Sequence, residues 1–407
     1  MEFIDRLLGR PTLGSLIRQL GQYLRTQGVE LVEALPAQME VVVRRNGSSS
    51  RIYLGNLLHE YSKAKRRDRP GVVERFMSSL VNENAETPAT YADAKPLLLP
   101  VVRSASALGV AMSAGLRTAD DMAFPAIVQR PLVADLTVSL VVDRPKSMAY
   151  VNDDNLKAWG VTLDQALDDA LHNLRALPEH GGWTEIFPGL WQGGWGDTYE
   201  SSRILLPDLI YRLGINDPVA MIPFRDVLLV TSRGNAHAVQ HIVDLAASSL
   251  DDNTRWISFE LLHLNGTSWE RHVPADHQAQ LQDLSRRNIA DAYAAQKQIL
   301  DAHFNDRAID IFVATHQLVR RDDEGLSSYT VWSEGVDILL PEADRVALVR
   351  PDNKEFDPLM VPWAMAQEHF GPFFEATDYA PPRFRLRAFP NAQALEAVRR
   401  LTQTQGA

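Results

Sequence analysis

The chain has 407 residues, a formal net charge of −11 and no cysteine. Its length predicts two or three domains, and the lack of cysteine excludes disulfides, thiolate metal sites and cysteine nucleophiles. The negative charge disfavours nucleic acid and anionic membranes as partners of the whole molecule, because both favour a positive protein surface.

The N-terminal residues 1–11 carry Glu2 and Asp5 and lack the sustained apolar core of a secretory signal. The most apolar long stretch, residues 97–116, is interrupted by Pro100 and Arg103. It therefore falls short of the roughly 20 apolar residues that a membrane span needs. We expect a soluble cytoplasmic protein without membrane contact.

Residues 1–82 are predicted to form an α-β-β-α domain. Thr12 caps a helix with apolar residues at helical spacing, and Gly28 ends it. Asn46-Gly47 favours a tight hairpin turn between two strands. The polar residues 82–95 follow as a predicted linker. The other predicted elements are strands over 39–45 and 51–54 and helices over 57–63 and 72–81.

The stretch 132–177 has the clearest local pattern. Its apolar run predicts a strand covered on both faces, and Pro145 predicts a turn. Asn152 and Thr162 each cap a helix, and Gly160 ends the first of them. The predicted elements are strands over 136–142 and 148–151, a helix over 153–159, and a second helix from 163 onward.

The remaining pattern predicts a central domain over 97–275 and a C-terminal domain over 280–407. Strands and helices mix without a fixed repeat, so the predicted class is α+β, with largely antiparallel sheets and amphipathic helices. Residues 97–116 fit either a strand entering a loop or a poorly formed helix. Further predicted strands cover 124–130, 219–222, 227–231, 256–264, 269–273, 309–319, 327–332, 336–340, 346–349 and 384–389. Further predicted helices cover 199–213, kinked or split near Pro207, and 236–250, 276–304, 361–370 and 392–401.

Two sets of irregularly spaced residues in the central region carry a family resemblance. The first set is Asp135-Leu136, Asp143, Pro145, Ser147-Met148, Tyr150-Val151, Leu156, Trp159-Gly160, Ala170 and Asn173-Leu174. The second set is Tyr199, Ser201-Ser202, Leu205-Leu206, Pro223, Arg225-Asp226 and Leu228. Together they resemble the YtpQ-like family of bacterial proteins of unknown function, over about 97–273. The resemblance implies a fold and a cytoplasmic setting but no catalytic residue, since that family has no established activity.

Arg225 and Asp226 are the first charged candidates. They lie between Pro223 and an apolar run, where an extended segment would point adjacent side chains to opposite faces. Both would then enter one site only if the strand bulged. One interpretation is a polar anchor in the cleft of a hydrolase, and the other is a structural ion pair.

Trp183, Trp191 and Trp195 lie in a predicted glycine-rich hairpin over 183–194 and its flank. Aromatic platforms bind sugars, peptides or bases, so this loop is the first candidate for a small-ligand site. The alternative is that the tryptophans pack on the core, as large aromatic side chains commonly do. The glycines form no phosphate-binding motif.

The histidines offer little support for a metal site. His237 and His241 share a helical face at i, i+4, with Asp244 at i+7, a geometry that could bind a divalent metal. However, the glutamate that follows the first histidine in a zinc-protease motif is absent. We assign His263, His272 and His277, which flank a predicted hairpin turn, to the surface, because no carboxylate or thiolate is placed among them. We expect no metal and no cofactor.

The sequence constrains the function less than it constrains the fold. The basic run from Lys63 to Arg69 could touch an acidic partner, but the overall charge favours a solvated connection between helices. No serine lies in a nucleophile elbow, and no paired carboxylates have a diagnostic spacing. The sequence therefore favours a non-enzymatic module that binds or scaffolds another protein. The alternatives are a hydrolase near Arg225 and Asp226 and a small-ligand sensor at the Trp183–Trp195 loop.

Overall fold

The computed structural model describes residues 12–35, 40–45, 48–81, 87–115, 127–144, 147–177, 181–249, 256–321, 325–353 and 356–405. These residues form helices and mostly antiparallel strands, so the predicted α+β class is confirmed. The chain divides into two compact units, one with residues up to 97 together with 142–149, and one with the remaining residues. Within the described ranges, no helix is both long and apolar enough to cross a membrane.

The first unit is an antiparallel sheet in the order β1-β2-β3 with helices. Thr12 caps the first helix, because its hydroxyl accepts from the Ser15 N–H while Ser15 Oγ accepts from the Thr12 N–H. Leu16, Leu20 and Leu24 lie on the buried face of this helix. The elements are α1 (Leu13–Thr26), β1 (Glu30–Leu35), β2 (Glu40–Arg45), β3 (Ser48–Tyr53), α2 (Gly55–Lys63), α3 (Arg69–Val81) and α4 (Tyr91–Ala94).

Two features of this unit differ from the prediction. Strand β1 was not predicted, and it joins the sheet by antiparallel pairing with β2. Part of the predicted linker 82–95 is the short helix α4, whose N-cap Thr90 accepts from the Asp93 N–H. The basic residues between α2 and α3 are exposed, as a solvated connection would be. The turn residues Asn46-Gly47 lie outside the described residues, as does Pro145.

The second unit begins with a sheet in the order β4-β6-β5 and a six-stranded sheet in the order β13-β12-β10-β11-β9-β8. Strand β6 continues into residues 142–149 of the first unit, where it pairs with β7. The strands are β4 (Leu98–Ser104), β5 (Gln129–Val133), β6 (Leu136–Arg144), β7 (Ser147–Tyr150), β8 (Gly182–Phe187), β9 (Leu190–Gly194), β10 (Pro218–Met221), β11 (Leu229–Ser232), β12 (Leu261–Asn265) and β13 (Ser268–His272). The helices are α5 (Ala105–Gly115), α6 (Asp153–Trp159), α7 (Leu163–Ala176), α8 (Pro207–Tyr211) and α9 (Ala236–Ser248).

Predicted capping is confirmed at two of these helices. Asn152 and Thr162 each form a capping box with the residue three positions later, and Gly160 ends α6 at a φ of 69°. Of the stretch 97–116, residues 98–104 form strand β4 and residues 105–115 form helix α5. Ser104 caps α5, because its hydroxyl accepts from the Ala107 N–H. Asp135, from another part of the chain, also accepts from the Ser106 N–H and hydroxyl.

The C-terminal part of this unit has two four-stranded sheets, ordered β14-β17-β21-β20 and β15-β16-β18-β19. The strands are β14 (Phe312–Val313), β15 (Gln317–Arg321), β16 (Gly325–Ser333), β17 (Ile338–Pro341), β18 (Arg345–Val349), β19 (Leu359–Pro362), β20 (Glu375–Ala376) and β21 (Arg383–Leu386). The helices are α10 (Gln278–Asp306), α11 (Trp363–Phe370) and α12 (Ala392–Gln405). Trp332 is fully buried in this core, with the rings of four phenylalanines edge-on around it.

Several predicted elements have different boundaries. The predicted strand 309–319 is divided into β14 and β15, and the predicted helix 361–370 starts as strand β19. The predicted helix 199–213 is split near Pro207, as expected, but its first part is a 3₁₀ turn, Ser201–Leu205, before α8. Pro207 explains the break, because proline has no N–H to donate and is favoured at the first turn of a new helix.

Apart from residues 97 and 142–149, the predicted central and C-terminal domains fall in one compact unit. Helix α5 packs against α10, across the predicted boundary between 275 and 280. A Cβ atom on Gly109 in α5 would lie 2.2 Å from the Ala380 carbonyl oxygen, so only glycine permits this approach. The prediction of three domains stays a prediction, since compactness does not test whether each folds alone.

Candidate functional site

A cleft of about 110 Å³ lies between α7, α8 and the loop that carries Trp195. We call it the Trp195 cleft. Its apolar surface comes from Leu174, Leu177, Leu206, Leu209 and the ring of Trp195. Its charged surface comes from Arg175, Arg203, Asp208 and Arg212. Of the tryptophans that the sequence singled out, Trp195 is the one that lines it.

Arg203 holds the Trp195 ring in place. Its guanidinium carbon lies 4.3 Å from the ring centroid, and it donates to both carboxylate oxygens of Asp197 at 2.9 and 2.6 Å. The Arg203 side chain is only 4% exposed, so this cation–π contact and the bidentate pair are largely desolvated. Burial opposes ionisation of Asp197, but the hydrogen bonds from Arg203 and the Tyr199 N–H outweigh it and lower the pKa of Asp197.

The glycines of the loop make room for the Trp195 ring. A Cβ atom on Gly193 would lie 2.5 Å from Trp195 Cζ3, which is closer than any side chain tolerates. A Cβ atom on Gly181 would lie 1.9 Å from the Gly194 carbonyl oxygen. Gly196 has a φ of 74°, which favours glycine. The glycine-rich sequence therefore has a packing role here.

We expect Gly193→Ala to lower the free energy of unfolding by about 1–3 kcal/mol, because the added methyl group forces Trp195 away from its position. Near-ultraviolet circular dichroism should change with it. Gly194→Ala is the matched control, since its Cβ would meet nothing closer than 3.7 Å. Equal unfolding energies for the two variants would show that Trp195 is not tightly held.

A buried polar run follows the loop. Residues 199–203 are all buried, and Glu200 is 3% exposed with one carboxylate oxygen accepting from the Gly196 N–H at 2.7 Å. The Ser201 N–H donates to the Arg225 carbonyl at 3.1 Å, which ties the turn at Arg225 to this loop. The two parts of the second resemblance set are thus in contact through the backbone.

The rim of the Trp195 cleft is an exposed arginine–carboxylate group. Asp208 accepts from Arg175 at 3.1 Å and from Arg212 at 3.3 Å. The Arg212 side chain is 73% exposed, and Arg175 and Asp208 are about half exposed. Such surface pairs contribute little stability, so both arginines can turn toward an incoming anion at small cost.

The size of the Trp195 cleft limits what it can hold. Sites for small molecules usually enclose roughly 300–1,000 Å³, and this cleft is well below that range. It can take one apolar side chain of a partner against its leucines. The nearby Glu200 and Ser201 side chains are buried beneath the surface, and neither lines the cleft, so the arrangement favours binding over catalysis.

The other two tryptophans are placed differently. The Trp183 ring packs edge-on against the Trp195 ring, with 5.2 Å between their centroids. Trp183 therefore supports the ring that lines the cleft. Its indole nitrogen is buried without an acceptor in the described part of the chain. Trp191 lies in β9, half-buried, and does not line the cleft. Packing thus describes Trp183 and the largely buried Trp195, and both interpretations of the loop stay predictions.

Arg225 and Asp226 lie in a turn, and both are exposed. The expectation of an extended segment at these residues is wrong, because the Val227 N–H donates back to the Phe224 carbonyl at 3.3 Å and closes the turn. Neither side chain lines the Trp195 cleft. An exposed turn offers no wall that excludes water, so the geometry gives the hydrolase alternative no support.

His237 and His241 do not converge on a common point. His237 is exposed, whereas the His241 ring stacks on Phe187 at 4.6 Å between centroids. Asp244 accepts from Gln240 at 2.8 Å. In the part of the chain that the structure describes, no three histidine, aspartate or glutamate side chains are grouped as metal ligands.

One ionisable cluster was missed by the sequence reasoning. Asp217 accepts from His263 at 2.5 Å and from Arg233 at 2.6 Å, and His272 lies 6.4 Å from His263 between ring centroids. The hydrogen bond from His263 lowers the pKa of Asp217, while burial and the charge of Arg233 lower the pKa of His272. The statement that no carboxylate lies among these histidines is wrong, because Asp217 is distant in sequence and reaches them across the sheet.

Comparison with known proteins gives no match: no family model, no curated protein and no solved structure is significantly similar to this chain. The YtpQ-like resemblance is therefore neither supported nor refuted, and the site rests on its own geometry.

Proposed function

We propose that the protein is a non-enzymatic protein-binding module whose Trp195 cleft receives an apolar side chain of a partner, flanked in that partner by acidic residues. The observation that carries this proposal is a small leucine-lined cleft with arginines at its rim. Anchoring side chains that fill such pockets supply most of the energy in many protein interfaces.

Charge supports an acidic flank in the partner. The three arginines of the cleft outnumber Asp208 in the lining and Asp197 behind Arg203, so the cleft is locally positive. The chain as a whole has a net charge of −11. A positive patch on a negatively charged protein attracts acidic partners to that patch, while the rest of the surface repels them.

The proposal includes two further parts. One is a cytoplasmic setting, which the lack of cysteine supports because a reducing compartment needs no disulfides. The other is a relationship to the YtpQ-like family, which the spaced residues within 97–273 support.

A peptide-display selection on the full-length protein tests the binding proposal. We expect the enriched peptides to share a leucine or phenylalanine next to aspartate or glutamate. A synthetic peptide with that shared sequence should bind about tenfold more weakly to Arg212→Glu and to Arg175→Glu, since each reversal replaces attraction with repulsion at the rim. Fluorescence anisotropy measures the affinities.

Arg320→Glu is the matched control, because Arg320 is an exposed arginine in an ion pair with Asp283 outside the cleft. It should bind the peptide as the unaltered protein does. A selection without a shared sequence, or a peptide that binds Arg212→Glu with unchanged affinity, would contradict the proposal.

A further inference from the structure

A second and larger cleft lies in the C-terminal part of the chain. It has a volume of about 280 Å³, close to the lower end of the range for small-molecule sites. One side is a stripe of α12 that holds Ala392, Leu395, Glu396 and Arg399, spaced i, i+3, i+4 and i+7. The opposite side holds Arg350, Phe356 and Asp357. We call it the Phe356 cleft.

Two guanidinium groups flank the aromatic ring. Arg350 Cζ lies 5.5 Å from the Phe356 centroid, and Arg399 Cζ lies 5.3 Å from it. Arg399 donates to the Asp357 carbonyl at 2.9 Å, and Arg350 pairs with Glu334 at 3.0 Å. The Phe356 ring therefore holds both guanidinium groups beside the cleft, together with the Asp357 carbonyl for Arg399 and Glu334 for Arg350.

Arg350 has an unused donor. Its Nε–H is buried, and no atom in the described residues accepts from it. A buried donor without an acceptor is unfavourable, so the Arg350 guanidinium has hydrogen-bonding capacity that its pairing with Glu334 does not use. A carboxylate suits two guanidinium groups best, because its two oxygens match their planar donors.

The same cleft also presents negative charge. Asp357 and Glu396 both line it, and Glu396 is half exposed, with its contact to Arg400 on the solvent side of α12 at 3.1 Å. A simple anion would be repelled by these carboxylates, and a simple cation by the two arginines. A molecule with both a carboxylate and an ammonium group satisfies both signs.

We propose that the Phe356 cleft binds a free amino acid with an apolar side chain. Its carboxylate is held by Arg350 and Arg399, its ammonium group by Asp357 and Glu396, and its side chain by Phe356 and Leu395. This site is independent of the Trp195 cleft, since the two clefts share no residue.

Isothermal titration calorimetry of the full-length protein tests the assignment with L-leucine, L-phenylalanine and two matched analogues of leucine. The analogues are 4-methylpentanoate, which lacks the ammonium group, and 3-methylbutylamine, which lacks the carboxylate. We expect at least one amino acid to bind at micromolar to millimolar concentration. Each analogue should bind at least tenfold more weakly than leucine, because each leaves one pair of charges in the cleft unmatched.

Two substitutions separate a site effect from a folding effect. Glu396→Gln and Arg399→Gln should each weaken amino acid binding at least tenfold, and the exposed Glu396 can be changed without disturbing the core. Arg400→Gln is the control, because it removes the partner of Glu396 but does not line the cleft. Thermal unfolding checks that each variant is folded. The proposal is overturned if neither amino acid binds, if one analogue binds as tightly as leucine, or if Glu396→Gln binds unchanged.

Discussion

Replacing Arg383 with methionine is expected to lower the free energy of unfolding by about 2–5 kcal/mol. Arg383 is 1% exposed and donates to Gln296 Oε1, to the Ala314 carbonyl at 2.8 Å and to the Leu339 carbonyl at 3.1 Å. Methionine fills similar space but donates nothing, so the Gln296 and Ala314 acceptors lose this donor in a dry environment. Each buried acceptor left in this way costs roughly 1–3 kcal/mol.

The opposing effect is the burial of the guanidinium itself. Burial lowers the pKa of Arg383 to about 10, so the group is still charged at neutral pH, and its hydrogen-bond partners among the described residues are Gln296 and backbone carbonyls. Removing a desolvated charge is favourable in itself, and replacing buried charges by apolar side chains stabilises some proteins. In Arg383→Met the buried acceptors remain without their donor, which is why we expect a net loss of stability.

Urea unfolding measures this balance. Arg383→Lys should also lose stability, because a single ammonium group cannot reproduce the planar set of donors. The control is Arg387→Met, an exposed arginine paired with Glu375, which should change the unfolding energy by less than about 1 kcal/mol. Unchanged stability of Arg383→Met would mean that desolvation of the guanidinium outweighs its hydrogen bonds.

The parts of the fold that could be predicted are those that depend on near neighbours in sequence. Thr12, Asn152 and Thr162 satisfy backbone N–H groups three residues later, and such caps are visible as short patterns. These interactions need no information from elsewhere in the chain.

The parts that could not be predicted depend on distant partners. Arg383 looks like an ordinary charged residue before a strand, yet its acceptors lie 44–90 positions away. Asp217 and His263 are 46 positions apart. The Trp195 cleft is an intermediate case, because Trp195 was selected from sequence while Arg203 was not. The polar run 199–203 between apolar segments was the signal that a buried anchor was present.

Between pH 6.5 and 4, His316 should make a large contribution to the pH dependence of stability. Burial, with a smaller contribution from the charge of Arg383, lowers the pKa of His316 to about 4, and the charge of Asp344 opposes this. The ring stacks on Tyr293 at 4.9 Å between centroids, and its Nδ1 is buried. Protonation therefore places a charge in a site that stabilises the neutral ring.

The direction of this change in stability follows from the number of protons that each state binds. The pKa in the unfolded chain is about 6.5, so between pH 6.5 and 4 the unfolded state binds a proton that the folded state does not. The stabilisation is fully present above pH 6.5 and decreases as the pH falls toward the folded-state pKa. One pKa unit corresponds to about 1.4 kcal/mol, so the loss should reach about 3 kcal/mol at pH 4.

Urea unfolding at pH 6.5 and pH 4.5, compared between the unaltered protein and His316→Gln, isolates this contribution. Glutamine does not titrate, so the variant should lose about 2–3 kcal/mol less than the unaltered protein over this interval. Carboxylates that titrate near pH 4 change the stability of both proteins alike, so their effect cancels when the two losses of stability are compared. His369→Gln, at an exposed histidine of α11, should keep the full pH dependence. If His316→Gln keeps it as well, the neutral ring is not what the buried site stabilises, and the acid sensitivity belongs to the carboxylates.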